Sequence, residues 1–206
     1  MKTIIHPTYF PSISHYVAIA KSIGLVLEYE DNFQKQTNRN RMYICSPNGL
    51  QLLNIPVKHA IITHQKTKDV RIENDFDWQK QHFKSLEAAY RSSPFFEYFE
   101  DDLRIIFEKK HQFLMDLNIE TMEFVSRCLR FPFNYEKSEE YHKNAYKILD
   151  FRHLADGKKD KSVFIKYPQV FEQRTGFLNN LSVLDLIFNE GKFAWDYLKL
   201  QILQNY

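Results

Sequence analysis

"TIIHPTYFPSISHYVAIAKSIGLVLEYE", residues 3–30, decides the fold. "TIIH" has the short apolar run of a buried strand, and two prolines then bracket the loop "PTYFPS". "ISHYVAIAKS" follows with helical spacing, placing Ile13, Tyr16, Val17 and Ala20 on one face, so the spacing predicts a helix over about 14–22. Gly24 is read as its terminator and "LVLEYE" as a second strand. Strand, helix and strand this closely spaced form a parallel crossover unit, a connection that is right-handed in nearly all cases. Ligands of such units gather outside the carboxyl ends of the strands. The loop after the first strand lies at that edge, and so does "DNFQKQ" after the second.

Working outward, "RMYICS", the turn "PNG" and "LQLLNIPV" predict a hairpin, because Asn48-Gly49 tolerates positive φ. "KDVRIEN" is read as one more strand. After Asp77 the period becomes helical, with Trp78, Phe83, Leu86 and Tyr90 near one face. Ser93-Pro94 is read as a cap with proline at the first helical position. The stripe Phe95, Phe99, Leu103, Ile106, Phe107 and Leu114 predicts a long amphipathic helix, and Asn118 is read as the cap of the next. "LADGKKDKS" reads as a solvated loop. "SVLDLIFNEG" reads as a helix with Ser182 and Asp185 as a capping box and Gly191 as terminator. The fold class is therefore α/β: an N-terminal parallel crossover unit plus a β-hairpin in a mixed sheet, followed by a largely helical C-terminal half. We read 1–206 as a single domain, with 1–76 forming the sheet part and 77–206 packing on it as helices.

Composition narrows the function. Of 206 residues, 44% are apolar, enough for a packed core. The net charge is only +2 and the charges alternate, as in "EYFEDDLRIIFEKK", so nucleic acid is excluded as the main partner. Five glycines in the whole chain leave no phosphate-cradling loop of the glycine-rich kind. Cys45 and Cys128 stand far apart among apolar neighbours and read as free thiols. No signal peptide and no membrane span is expected, which makes a cytoplasmic location the default. His59 and His64 flank "AIIT" without carboxylates, and no cluster has metal-ligand spacing, so no metal is expected and no cofactor is assigned.

Three places carry candidate chemistry. His6 is the acid–base candidate, since an ordinary imidazole changes charge near neutrality. The loop lacks the paired histidines and glycine of a nucleotidylyltransferase, which excludes that activity. "KQTNRNR" concentrates Lys35, Asn38, Arg39, Asn40 and Arg41, and guanidinium forks with carboxamides suit carboxylate or phosphate. We expect Tyr9 and Phe10 to wall a pocket whose polar floor includes Asn40 and Arg41. His82 and Glu87 are five residues apart, poorly spaced for one helix face. Ser182 and Asp185 look like a triad fragment, yet capping accounts for both.

Taken together, several blocks resemble the WbqC-like protein family: "YFP" in the opening loop, "KQTNRNR" before the hairpin, "NG" in its turn and "IPV" after it. "WQKQHFKSLEAAYRSSPFFEYF" and the closing "GFLNNLSVLDLIFNEG" extend the likeness over nearly the whole chain. In one departure, many members begin the loop with glutamine where His6 stands, which leaves His6 as a polar ligand contact. The resemblance implies a transferase that moves an amino-acyl or acyl group onto a nucleotide- or lipid-linked sugar in bacterial surface-polysaccharide biosynthesis. It implies Tyr9, Phe10, Lys35, Asn40, Arg41, Asn48, His82, Glu87 and Tyr90 as ligand-binding positions, and a sugar derivative or nucleotide-sugar as partner. The alternative is a non-catalytic ligand-binding or scaffold protein of the same pathway. Polar side chains clustered in a concave pocket favour the enzyme; an exposed apolar patch favours the scaffold.

Overall fold

The computed structural model describes residues 1–58, 64–145 and 147–203; His59 therefore lies outside the described residues. Strand β1 (Thr3–Ile5), helix α1 (Ile13–Ala20) and strand β2 (Leu25–Leu27) form the crossover unit. β1 and β2 are adjacent and parallel, Thr3 opposite Leu25 and Ile5 opposite Leu27. α1 stops at Ala20 with Lys21 as its C-cap, two residues before the predicted end, and Gly24 belongs to the turn that follows.

β3 (Arg41–Ser46) and β4 (Gly49–Asn54) make the hairpin, with Gly49 at φ +98° in its turn. The hairpin forms a two-stranded sheet of its own instead of joining a mixed one. β2 is paired on both edges without it, to β1 and to a later strand. Two strands from the back half, β5 (Tyr135–Lys137) and β6 (Leu149–Asp150), flank the unit in the order β5-β2-β1-β6, and every pairing is parallel. Among the described residues "KDVRIEN" pairs in no ladder. Thr67–Asp69 is a 3-10 turn, followed by isolated bridges from Arg71 to Phe113 and from Ile72 to Val57.

Helices α2 (Trp78–Tyr90), α3 (Phe96–Glu108), α4 (Leu114–Cys128), α5 (Glu172–Thr175), α6 (Val183–Glu190) and α7 (Ala194–Leu200) complete the chain. Ser93 does not cap α3, whose N-cap is Phe95; its hydroxyl donates to the Tyr90 carbonyl (2.6 Å). Asn118 lies inside α4, fully buried, and donates to the carbonyls of Pro7 (3.1 Å) and Arg39 (2.8 Å). This carboxamide ties the opening loop to the segment before the hairpin. Ser182 caps α6 by accepting from the Leu184 amide, but Asp185 does not complete the box. Its carboxylate instead accepts from Tyr90, Tyr167 and Gln169. One apolar core runs from Ile5 through α2, α3 and α4 to Leu203. Cys45 is buried, Cys128 half-buried, and both are free.

Candidate functional site

The opening loop turns its aromatic side chains down into the core. Tyr9 is fully buried, its hydroxyl 2.9 Å from His82 Nδ1. Phe10 stacks on Phe107 at 5.9 Å and meets the edge of Phe124 at 6.2 Å. Its φ of +37° is rare for a bulky residue. Neighbours over-determine that conformation: the Phe10 amide donates to Thr121 Oγ1 (3.3 Å) and its carbonyl accepts from Ser182 Oγ (2.9 Å). The loop is thus a rigid edge.

A cavity of about 310 Å³ opens beside it, lined by Phe10 and Ser12 from the loop, Asn38, Arg41 and Tyr43 from the hairpin side, and Asp160 and Asn180 from the back half. Asp160 Oδ2 accepts from Ser14 Oγ (2.5 Å) and Asn180 Nδ2 (2.6 Å), and Oδ1 accepts from the Ser162 amide (3.0 Å). Burial opposes its charge, but the hydrogen bonds from Ser14, Ser162 and Asn180 outweigh it and hold the carboxyl below the usual range. Ser12 Oγ lies 2.8 Å from Ser14 Oγ and 2.9 Å from His15 Nδ1. Burial, ahead of the opposing Asp160 charge, pushes the His15 imidazole down to about 4.

A second cavity, about 340 Å³, sits at the carboxyl ends of β1 and β6 and is lined by His6, Arg39, Asp150, Arg152, His153 and Lys159, among others. Its buried charges come in pairs, as desolvation demands. Arg39 donates through Nε (3.0 Å) and Nη2 (2.7 Å) to Asp31 Oδ2. Arg152 donates to Asp150 through Nε (2.9 Å) and to the fully buried Glu28 through Nη1 (2.8 Å). His6 Nδ1 is 3.4 Å from Asp31 Oδ2. Burial first, then the Arg39 and Arg152 charges, push the His6 pKa well below 6.5, so its imidazole is neutral at pH 7.

The stretch 154–162 is more than a solvated loop. Leu154 and Ala155 are buried in a 3-10 turn, Gly157, Lys158 and Asp160 line the first cavity, and Asp156 and Lys159 line the second. Gly157 permits the close approach, since a Cβ there would lie 3.3 Å from Asn38 Nδ2.

Of the nominated residues, Phe10 and Arg41 meet in the first cavity and His6 lines the second. Tyr9, His82 and Tyr90 are core residues. Asn40 is buried, donating to the Ile55 carbonyl (2.9 Å), and lines neither cavity. Lys35 and Asn48 are exposed, and Glu87 pairs on the helix surface with Arg91 at 3.0 Å. Sequence reasoning placed Asn38 and Arg39 in its polar cluster but passed over Ser12, Glu28, Asp31, Arg152, Asp160 and Asn180. A usable signal was present for Glu28 and Arg152: charges set close after apolar strand runs.

The family model of the WbqC-like protein family matches residues 6–159, and the chain belongs to that family. It is similar to an uncharacterized protein of Mycobacterium tuberculosis, 25% identical over 234 aligned positions that cover 95% of this chain and 96% of that relative. No solved structure matches it at a significant level. Among the described residues, no helix is long and apolar enough to cross a membrane, and no group of three His, Cys, Asp or Glu is placed to hold a metal.

Proposed function

We propose that this chain is a cytoplasmic transferase that moves an amino-acyl or other acyl group onto a nucleotide- or lipid-linked sugar in bacterial surface-polysaccharide assembly. The observation that carries the reading is the lining of the first cavity. Asn38, Asn180, Asp160 and Arg41 converge there beside Tyr43. Carboxamides both donate and accept, a carboxylate accepts from paired hydroxyls, and a guanidinium holds an anionic group. The half-buried Tyr43 completes a surface suited to a sugar. The volume falls at the lower end of the range of small-molecule pockets, about 300–1,000 Å³.

The second cavity supports the linked part of the acceptor. Lys143 and Lys159 at its rim attract phosphate, while the paired Arg39 and Arg152 fix its walls. His6 enters this site as a neutral hydrogen-bonding group. The test is a thermal-shift screen with nucleotide-sugars, acyl-CoAs and amino acids, because a ligand selective for the native state raises the midpoint. At least one nucleotide-sugar should stabilise the protein, and Arg41→Lys should weaken that shift because lysine lacks the planar fork. Stabilisation by none of them would favour the scaffold reading.

A further inference from the structure

Ser12 occupies the N-cap of α1, yet its hydroxyl caps nothing. A serine there ordinarily accepts from an amide of the first turn. In this helix those amides are satisfied by others. The Ile13 amide donates to the Leu181 carbonyl (3.0 Å), the Ser14 amide to Asn180 Oδ1 (3.0 Å), and the His15 amide to the Ser12 carbonyl (3.1 Å). The Ser12 hydroxyl is left free for another task.

Counting hydrogens fixes the direction of the chain it joins. The ionised Asp160 can only accept, so the single hydroxyl proton of Ser14 points to Asp160 Oδ2 at 2.5 Å. The contact between Ser14 Oγ and Ser12 Oγ (2.8 Å) must then use the Ser12 proton. The contact between Ser12 Oγ and His15 Nδ1 (2.9 Å) must in turn use the imidazole proton. The order is His15 Nδ1–H to Ser12, Ser12 to Ser14, and Ser14 to Asp160. In that tautomer His15 Nε2 carries a lone pair, and this buried atom meets no hydrogen-bond partner among the described residues. Ser14 and His15 are fully buried, while Ser12 and Asp160 line the first cavity.

The geometry points to Ser12 as a nucleophile that takes up an acyl group, with its proton leaving through Ser14 to Asp160. The acyl donor, a thioester, rests on the transferase reading above. Ser12 Oγ forms a bond to the thioester carbonyl carbon as its proton passes to Ser14 Oγ and the Ser14 proton passes to Asp160 Oδ2. The carbon–sulfur bond breaks, and the departing thiolate takes the proton from Asp160, which lines the same cavity. A sugar hydroxyl then attacks the Ser12 ester. Its proton ends on Ser12 Oγ as the ester bond breaks, and the chain is restored. Fixed hydroxyls already in hydrogen-bond contact satisfy the geometric demand on a proton-accepting path.

The test uses the intact protein with acetyl-CoA and, separately, 4-nitrophenyl acetate, read by intact-mass spectrometry and peptide mapping. One acetyl group should appear on Ser12 in the wild type and be absent from Ser12→Ala. Ser14→Ala and Asp160→Asn should slow acylation by about a hundredfold, the scale of a general base, with the donor concentration for half-maximal rate unchanged. Asp160→Asn also loosens Asn180, so Ser14→Ala, a favourable helix substitution at a buried site, is the decisive variant. No adduct, an adduct that persists in Ser12→Ala, or an undiminished rate in folded Ser14→Ala would overturn the proposal. A Ser12 adduct without any nucleotide-sugar stabilisation would sustain the nucleophile and remove the sugar acceptor. Stabilisation without an adduct would do the reverse.

Discussion

Lowering the pH from 7.5 to 5 should destabilise this fold through histidines buried in their neutral form. Burial pushes both His15 and His82 down to about 4, against 6.5 in an unfolded chain. As pH falls below 6.5 the unfolded state takes up protons that the folded state refuses, so stability is lost on the way to pH 4. At pH 5 each histidine accounts for about 2 kcal/mol, about 4 kcal/mol for the pair. His6 is shifted in the same direction and adds to the loss. Asp185 opposes them. Burial pushes it up to about 6 despite hydrogen bonds from Tyr167, Tyr90 and Gln169, so the folded state takes up its proton first. That returns about 1 kcal/mol at pH 5, leaving a net loss of about 3 kcal/mol before His6 is counted. Urea unfolding at the two pH values measures the difference, and His82→Gln isolates one contribution. The amide keeps a polar partner for the Tyr9 hydroxyl and does not titrate, so the pH-dependent loss should shrink by about 2 kcal/mol. An equal loss in His82→Gln and wild type would refute the reasoning, as would a protein more stable at pH 5.

Asn118→Ala should cost about 3 kcal/mol in urea unfolding, because it strands the buried carbonyls of Pro7 and Arg39. Gly157→Ala should leave stability within about 1 kcal/mol of wild type. By pressing on Asn38 it should reduce the thermal shift given by any ligand of the first cavity. Arg41→Ala should fold normally and lose under about 1 kcal/mol, since its side chain donates to Asn54 Oδ1 at 3.2 Å and to no other group among the described residues. A large drop in melting temperature would make Arg41 a structural residue.

The crossover unit was legible because local signals agreed: an apolar run, prolines at the loop, a helical period and a second apolar run. β5 and β6 carried no such signal. β5 is an edge strand whose Tyr135, Glu136 and Lys137 are half-buried or exposed, and β6 is two residues long. Their pairing is set by the edges that β2 and β1 offer, which no window of residues 135–150 contains. The same reasoning covers Asn118 and Asp185. Each reads locally as part of a helix cap, but each serves distant groups: two carbonyls for Asn118, two tyrosines and a glutamine for Asp185.

The site divides along the same line. The carboxyl edge of the crossover unit could be named from two strands, and His6, Phe10 and Arg41 line cavities of the structure. Between two arginines in one cluster, however, local sequence offered no means of choosing. Arg39 is drawn inward because Asp31, eight residues earlier, waits in a buried position to be neutralised; Arg41 donates to Asn54 across the hairpin. "EYED" after β2 has the look of a solvated charge run, and Glu28 is buried only because Arg152 arrives from β6 to pair with it. The Ser12–Ser14–Asp160 chain is the extreme case. Ser12 and Ser14 sit side by side in the quoted opening stretch, but the carboxylate that makes their order meaningful comes from the other end of the chain, 146 residues beyond Ser14. A hydroxyl pair at a helix start is a cap until a distant residue takes over the capping, and here Asn180 does so while holding Asp160 in place.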